Sequence, residues 1–217
     1  MSRKNVAVVV GYHTYEVCAF QVMLESFDDL HCYIQHLEQF TSSPESVRDS
    51  YDAVVFYTME HRTPDANRPW YEGDVKAAME HLGVSGQGLV VLHHSLLAFE
   101  KWPSWKELTG LDPVLYHDYR LDVSQRYQIV SPDHPVTQGL SDFEMRDEVY
   151  LCDPVEPADG MEILVGSAAG GNMNAIAWTK RYRNSRVFCF QSGHDSSSWR
   201  NNSFRTLLHR GILWSAQ

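Results

Sequence analysis

The chain has 217 residues with 28 acidic against 18 basic side chains, a net charge of −10. That balance excludes a protein that grips nucleic acid by its phosphates, which needs clustered Lys and Arg. At 43% hydrophobic and 21% charged residues it reads as a soluble globule, long enough for one well-buried domain over 1–217 and short for two. No run approaches the ~20 apolar residues of a membrane span and none has the pattern of a leader, so a cytoplasmic protein without a membrane partner is expected. Cys18, Cys32, Cys152 and Cys189 lack CxxC spacing and sit among apolar or aromatic neighbours. They predict buried, reduced thiols rather than a zinc-cysteine site.

NVAVVV (5–10) is a continuous β-branched run ending at Gly11, as a strand buried on both faces reads. Val17, Phe20, Met23 and Leu24 then fall at helical spacing within 16–27, CYIQHL suggests a second strand, and YDAVVFYT (51–58) a third. Beyond a loop with Pro64 and Pro69, residues 71–82 place Val75, Ala78, Met79 and Leu82 on one helical face. Gly83, Gly86 and Gly88 lead from it into the strand 89–92. Strand and helix in alternation predict an α/β domain with a parallel sheet. From Tyr116 to Tyr150 the rhythm changes to loops and short extended pieces such as RYQIV. EILVG, AIAWTK and RVFCFQ follow as three strands of a hairpin-rich edge. A closing helix is expected over about 199–214, with Asp195 or one of Ser196–Ser198 as its N-cap.

Three strand ends carry polar residues where an open α/β sheet binds its ligands. Val10 leads into Gly-Tyr-His (His13), Leu92 into His93-His94-Ser95, and Phe190 into Gln-Ser-Gly-His-Asp (His194, Asp195). If those strands are parallel, all three clusters share a rim, and imidazole, with a pKa near 6.5, is the natural proton carrier there. His31, His36, His61, His81 and His209 read as ordinary surface or structural histidines, and His134 in SPDHPV as part of a turn. Asp147 and Glu148 in RDEVY stand beside Tyr150. With Tyr116, Tyr119, Trp178 and Trp199 they suggest a cleft of aromatic faces and carboxylates suited to a sugar.

GLVVLHHSLLAF, WKELTG, SPDHPVTQGLSDFEMRDEVY, AIAWTKRYRNSRVFCFQSGHDSSSW and FRTLLHRGILW, in that order, resemble the trehalose-utilisation (ThuA-like) family over nearly the whole chain. The resemblance implies the class I glutamine amidotransferase-like superfamily. Its fold is a doubly wound, flavodoxin-like, mostly parallel sheet with helices on both faces. In amidotransferases the elbow after the middle strand holds a nucleophilic Cys. Here that position is His93, and His194 falls where the amidotransferase His is expected, so thiolate-driven glutamine hydrolysis is lost.

The family is associated with disaccharide and keto-sugar catabolism, which implies a small carbohydrate partner oxidised to a 3-keto form. Proton removal beside such a ketone, followed by elimination, hydrolysis or isomerisation, is general acid/base work. The expected catalytic residues are His93 and His194 as base and acid in either order, with Glu148 or Asp195 orienting an imidazole. His13, His94, Ser95, His117, Tyr150 and Trp178 are the expected substrate contacts. A divalent metal such as zinc, on His13, His93 and His194, is the alternative electrophile. The competing reading is a non-catalytic sugar-binding or regulatory module. A serine hydrolase is disfavoured because Ser95 lacks GxSxG spacing. Aromatics between Trp102 and Tyr119 offer a face for a homo-oligomer.

Overall fold

The computed structural model describes residues 3–64, 69–112 and 115–217. In chain order its first half comprises β1 (Lys4–Gly11), α1 (Val17–Glu25), β2 (Leu30–His36), α2 (Leu37–Ser42), α3 (Glu45–Arg48), β3 (Ala53–Thr58), α4 (Val75–Glu80), β4 (Gly88–Leu92) and α5 (Pro103–Thr109). The second half adds β5 (Tyr116–Ile129), β6 (Phe143–Cys152), β7 (Glu162–Gly166), β8 (Ala175–Tyr182), β9 (Ser185–Phe190), α6 (Ser196–Trp199) and α7 (Asn202–Ser215). The strands form one sheet in the order β2-β1-β3-β4-β9-β8-β7-β5-β6. Its first five members are mutually parallel, and β8, β7, β5 and β6 continue it antiparallel.

The parallel half follows from apolar runs with no alternation. In β1, Ala7 and Val9 enter one core while Val6, Val8 and Val10 enter the other. A strand so placed has no wet face. Phe40 of α2, Met79 of α4 and Trp105 of α5 fill the first core, and Phe20 of α1 with Phe204 and Leu208 of α7 fill the second. Gly211 lets α7 lie flat on β9, since a Cβ there would strike the Phe188 ring. This is the doubly wound architecture expected, with β1, β3, β4 and β9 delivering their carboxyl ends to one rim. Among the described residues no helix is long and apolar enough to cross a membrane.

Several local expectations are corrected. The stretch 116–152 is not a set of loops and short pieces; β5 and β6 are long antiparallel strands with a register shift between Arg120 and Val123. Most of β5 is solvent-exposed, so no apolar pattern announces it. The closing helix is two helices, with Asp195 capping α6 and Asn201 capping α7. The helix expected over 71–82 is confined to Val75–Glu80, after a single 3-10 turn at Trp70–Glu72. Val17 points to solvent rather than inward. Of the cysteines, all unpaired, only Cys189 is fully buried and Cys18 is exposed. Trp102 and Trp105 lie in the core and are not available to a subunit face.

Candidate functional site

The chain leaves β4 through His93, whose φ of +53° is one that L-residues seldom adopt. That elbow turns the imidazole back over the rim between β4 and β9. A carbonyl can only accept, so the 2.8 Å contact between His93 Nδ1 and the Gln191 carbonyl places the proton on Nδ1. Nε2 is left with its lone pair facing forward. The His93 ring stacks on Tyr150, whose hydroxyl lies 3.3 Å from Nδ1.

Opposite His93, the turn after β9 is pinned from both sides. The buried carboxylate of Asp147 accepts the backbone N–H groups of Gly193 at 2.7 Å and His194 at 3.1 Å. The Tyr57 hydroxyl and the Trp199 indole donate to the Gly193 carbonyl at 2.9 and 3.0 Å. Gly193 itself has φ +123°, which a side chain would strain. These contacts aim His194 Nδ1 at His93 Nε2, 3.3 Å away. Glu148 closes the triangle from β6, with one oxygen 3.6 Å from His93 Nε2 and the other 3.1 Å from His194 Nδ1. The Gln191 side chain holds β6 in place by donating to the Glu148 carbonyl at 3.0 Å.

Exposure is graded across this centre: 0% for the His93 side chain, 10% for Glu148 and 25% for His194. A ligand therefore reaches it past His194 and Glu148, with His93 behind them. An open cleft lined by Thr14, Tyr15, Glu16, His194 and Asp195 leads to that edge. Burial depresses the basicity of His93 well below the ordinary imidazole value, and the neighbouring His94 adds to the effect. Burial also pushes Glu148 up to about 7, opposed by His194 and reinforced by Asp147.

His13 and His94 line the same rim. Their rings stack at 4.3 Å, and His13 lies edge-on to His194 at 6.1 Å. Among the described residues, His13 Nδ1 and both ring nitrogens of His94 are buried without a hydrogen-bond partner. Burial keeps both imidazoles neutral, holding His94 at about 3 and His13 below its usual value.

Four expected site residues have other partners in the structure. Ser95 Oγ accepts from the Thr58 N–H at 2.5 Å and donates to the Thr58 carbonyl at 2.8 Å, bracing β3 against the turn after β4. Asp195 orients no imidazole; its carboxylate takes the Ser197 N–H at the start of α6. Trp178 is wholly buried and donates to the Thr109 carbonyl at 2.7 Å. His117 is exposed and faces Asp153 at 3.0 Å. Of the cleft aromatics, Trp199 is buried beneath the Gly193 turn and Tyr119 points to solvent. Conversely, Gln191 and Tyr57 build the site without having been singled out for it, and Asp147, read as a carboxylate of a sugar cleft, instead holds the backbone of Gly193 and His194. Their one sequence signal is polar residues set in otherwise buried strands.

Two sets of donors among the described residues are close enough to share a cation. They are His93, Glu148 and His194, and the surface group Glu45, Asp49 and His81. Glu148, not His13, completes the first.

The model of the ThuA family, described as trehalose utilisation, matches residues 13–215. The chain belongs to the ThuA family. Solved structures agree on the fold. A ThuA-like protein of Parabacteroides merdae superposes with TM-score 0.75 at 18% identity, covering 100% of this chain and 91% of its own. A cytoplasmic protein of Salmonella typhimurium gives 0.67 at 15%, covering 98% of each. A GMP synthase protein of Thermoplasma acidophilum gives 0.62 at 11%, covering 100% and 96%. At these identities the likeness establishes the ThuA and amidotransferase-like fold and nothing about chemistry. A comparison with curated proteins finds no match.

Proposed function

We propose that this ThuA-family chain acts on a small carbohydrate carrying a ring ketone, breaking the C–H bond next to the carbonyl. The observation that carries the reading is the meeting of His93, Glu148 and His194, from three separate chain segments, within 3.6 Å at one rim of the sheet. The base takes the proton, the C–H electron pair becomes a C=C bond and the carbonyl π pair moves onto the ketone oxygen to give an enolate. Collapse of the enolate either expels a β-linked glycosidic oxygen, which takes up a proton, or returns a proton to carbon for isomerisation.

The geometry divides the work differently from the base-and-acid pair expected of His93 and His194. Their ring nitrogens point at each other and at Glu148, and Glu148, pushed up to about 7 by burial, can carry the proton that the centre donates to the ketone oxygen. His13 is half-buried, neutral, and has an unpaired Nδ1 beside His194. We assign the proton to this imidazole.

Deuterium exchange tests this directly. A 3-keto-glycoside incubated with the protein in D2O acquires deuterium beside the ketone, followed by NMR, and His13→Asn slows that exchange by roughly two orders of magnitude. Exchange no faster than in buffer alone would reject the reading.

A further inference from the structure

We propose that His93 Nε2, His194 Nδ1 and one oxygen of Glu148 are the three protein ligands of a first-row divalent metal ion of the zinc class. The separations carry the argument. Ligands about 2.1 Å from a shared ion lie about 3.4 Å apart around a tetrahedron and about 3.0 Å apart at adjacent octahedral corners. His93 Nε2 and His194 Nδ1 are 3.3 Å apart. The Glu148 carboxylate reaches both, with one oxygen 3.1 Å from His194 Nδ1 and the other 3.6 Å from His93 Nε2. One donor atom from each of the three residues lies within 4.8 Å of the others.

The surroundings agree. His93 donates its other nitrogen to the Gln191 carbonyl at 2.8 Å, the arrangement that fixes the tautomer and aims the lone pair of a metal-bound histidine. His194 is held from behind by the clamp of Asp147 on its backbone N–H. His94 is 2% exposed, and neither of its ring nitrogens has a partner among the described residues. With the unpaired His13 Nδ1 it forms a polar wall beside the triangle that offers acceptors and no fixed positive charge. Two imidazoles and a carboxylate select a borderline first-row ion over Mg2+ or Ca2+, which take oxygen donors. Three protein ligands leave a position open on the His194 side, as in a catalytic rather than a structural site.

The inference rests on the reading above only for what the ion does, namely holding the ketone oxygen; its presence is tested without substrate. Chelator-stripped full-length protein is titrated with Zn2+ by calorimetry and with Co2+ by visible absorption. One ion per chain is expected, with cobalt bands of low-coordinate N/O geometry. Affinity should fall about a hundredfold or more in Glu148→Gln and in His194→Ala, and stay unchanged in His81→Ala, which removes the surface group. Circular dichroism of each apo variant confirms that it has folded. No stoichiometric binding to the wild type, or binding lost in His81→Ala and kept in the other two, would overturn the site. An ion bound without deuterium exchange rejects the keto-sugar reading and leaves the metal site standing. Exchange by ion-free protein that takes up neither metal does the reverse.

Discussion

His93 Nε2 and His194 Nδ1 lie 3.3 Å apart although 101 positions separate them in the chain. The parallel pairing of β4 with β9, Leu92 against Phe190, brings both strand ends to the same rim. Neither residue holds its position alone. His93 depends on the Gln191 carbonyl and His194 on Asp147, and these supports yield the most direct mutational tests.

Asp147 positions the centre from behind. Burial raises its carboxyl pKa against the hydrogen bonds that favour the ionised form, among them the backbone N–H groups of Gly193 and His194 across the turn and of its neighbour Glu148. Asp147→Ala removes the acceptor of all three and should cost about 3 kcal/mol. It should also lower turnover, because His194 loses its aim. Asp147→Asn keeps an acceptor and should recover part of both. Urea unfolding read beside turnover checks the pair; an alanine variant of unchanged stability would contradict the clamp.

Ser95 is structural in this account. Ser95→Ala removes both bonds to Thr58 and should destabilise the fold by about 1–3 kcal/mol while leaving activity per folded molecule within a fewfold of wild type. Loss of all turnover in a folded Ser95→Ala protein would restore the serine as a nucleophile.

Asp195 is assigned to the start of α6. Asp195→Ala should cost about 1 kcal/mol, as loss of a helix N-cap does, with little change in kcat. Asp195→Ser should restore the stability. A large loss of kcat at unchanged stability would return it to the catalytic set.

These residues also show how far the sequence could be read. The parallel half is legible because strands dry on both faces appear as unbroken apolar runs. His93 and His194 stand out because such runs end on them. The course of β6 is not legible. Its partner β5 is exposed over most of its length and bulges near Asp122, so neither shows the alternation that marks a strand. Without β6 at the rim, Asp147 and Glu148 read as two carboxylates of an irregular segment, and nothing separates the one that holds the Gly193 and His194 backbone from the one that faces the imidazoles. Ser95 and Trp178 bond backbone atoms of remote segments, which no local pattern displays, whereas the cap that Asp195 makes with the Ser197 N–H is local and legible in the sequence.

The buried imidazoles make the metal-free protein acid-sensitive. Above about pH 6.5 His93 and His94 are neutral in the folded and the unfolded chain and add no pH dependence. Below it the unfolded chain takes up protons that the folded chain refuses, with His94 held at about 3 and His93 well below its usual value by burial. Stability should therefore fall as pH drops from about 6.5 toward 3, by about 1.4 kcal/mol per pH unit for each imidazole. His94→Leu should make the dependence shallower. Urea midpoints across that range in the presence of chelator measure it, and a flat profile would contradict neutral burial.

The central claim is that the His93–Glu148–His194 centre performs chemistry on a keto-sugar rather than merely holding a ligand. Product analysis of a 3-keto-glycoside, incubated with zinc-supplied wild type, Glu148→Gln and His194→Ala, tests it most directly. Wild type should consume the keto-sugar, and both variants, each still folded, should lose at least about a hundredfold in rate. Saturable binding of an unchanged keto-sugar by wild type, weakened in the variants, would contradict it and leave a sugar-binding module.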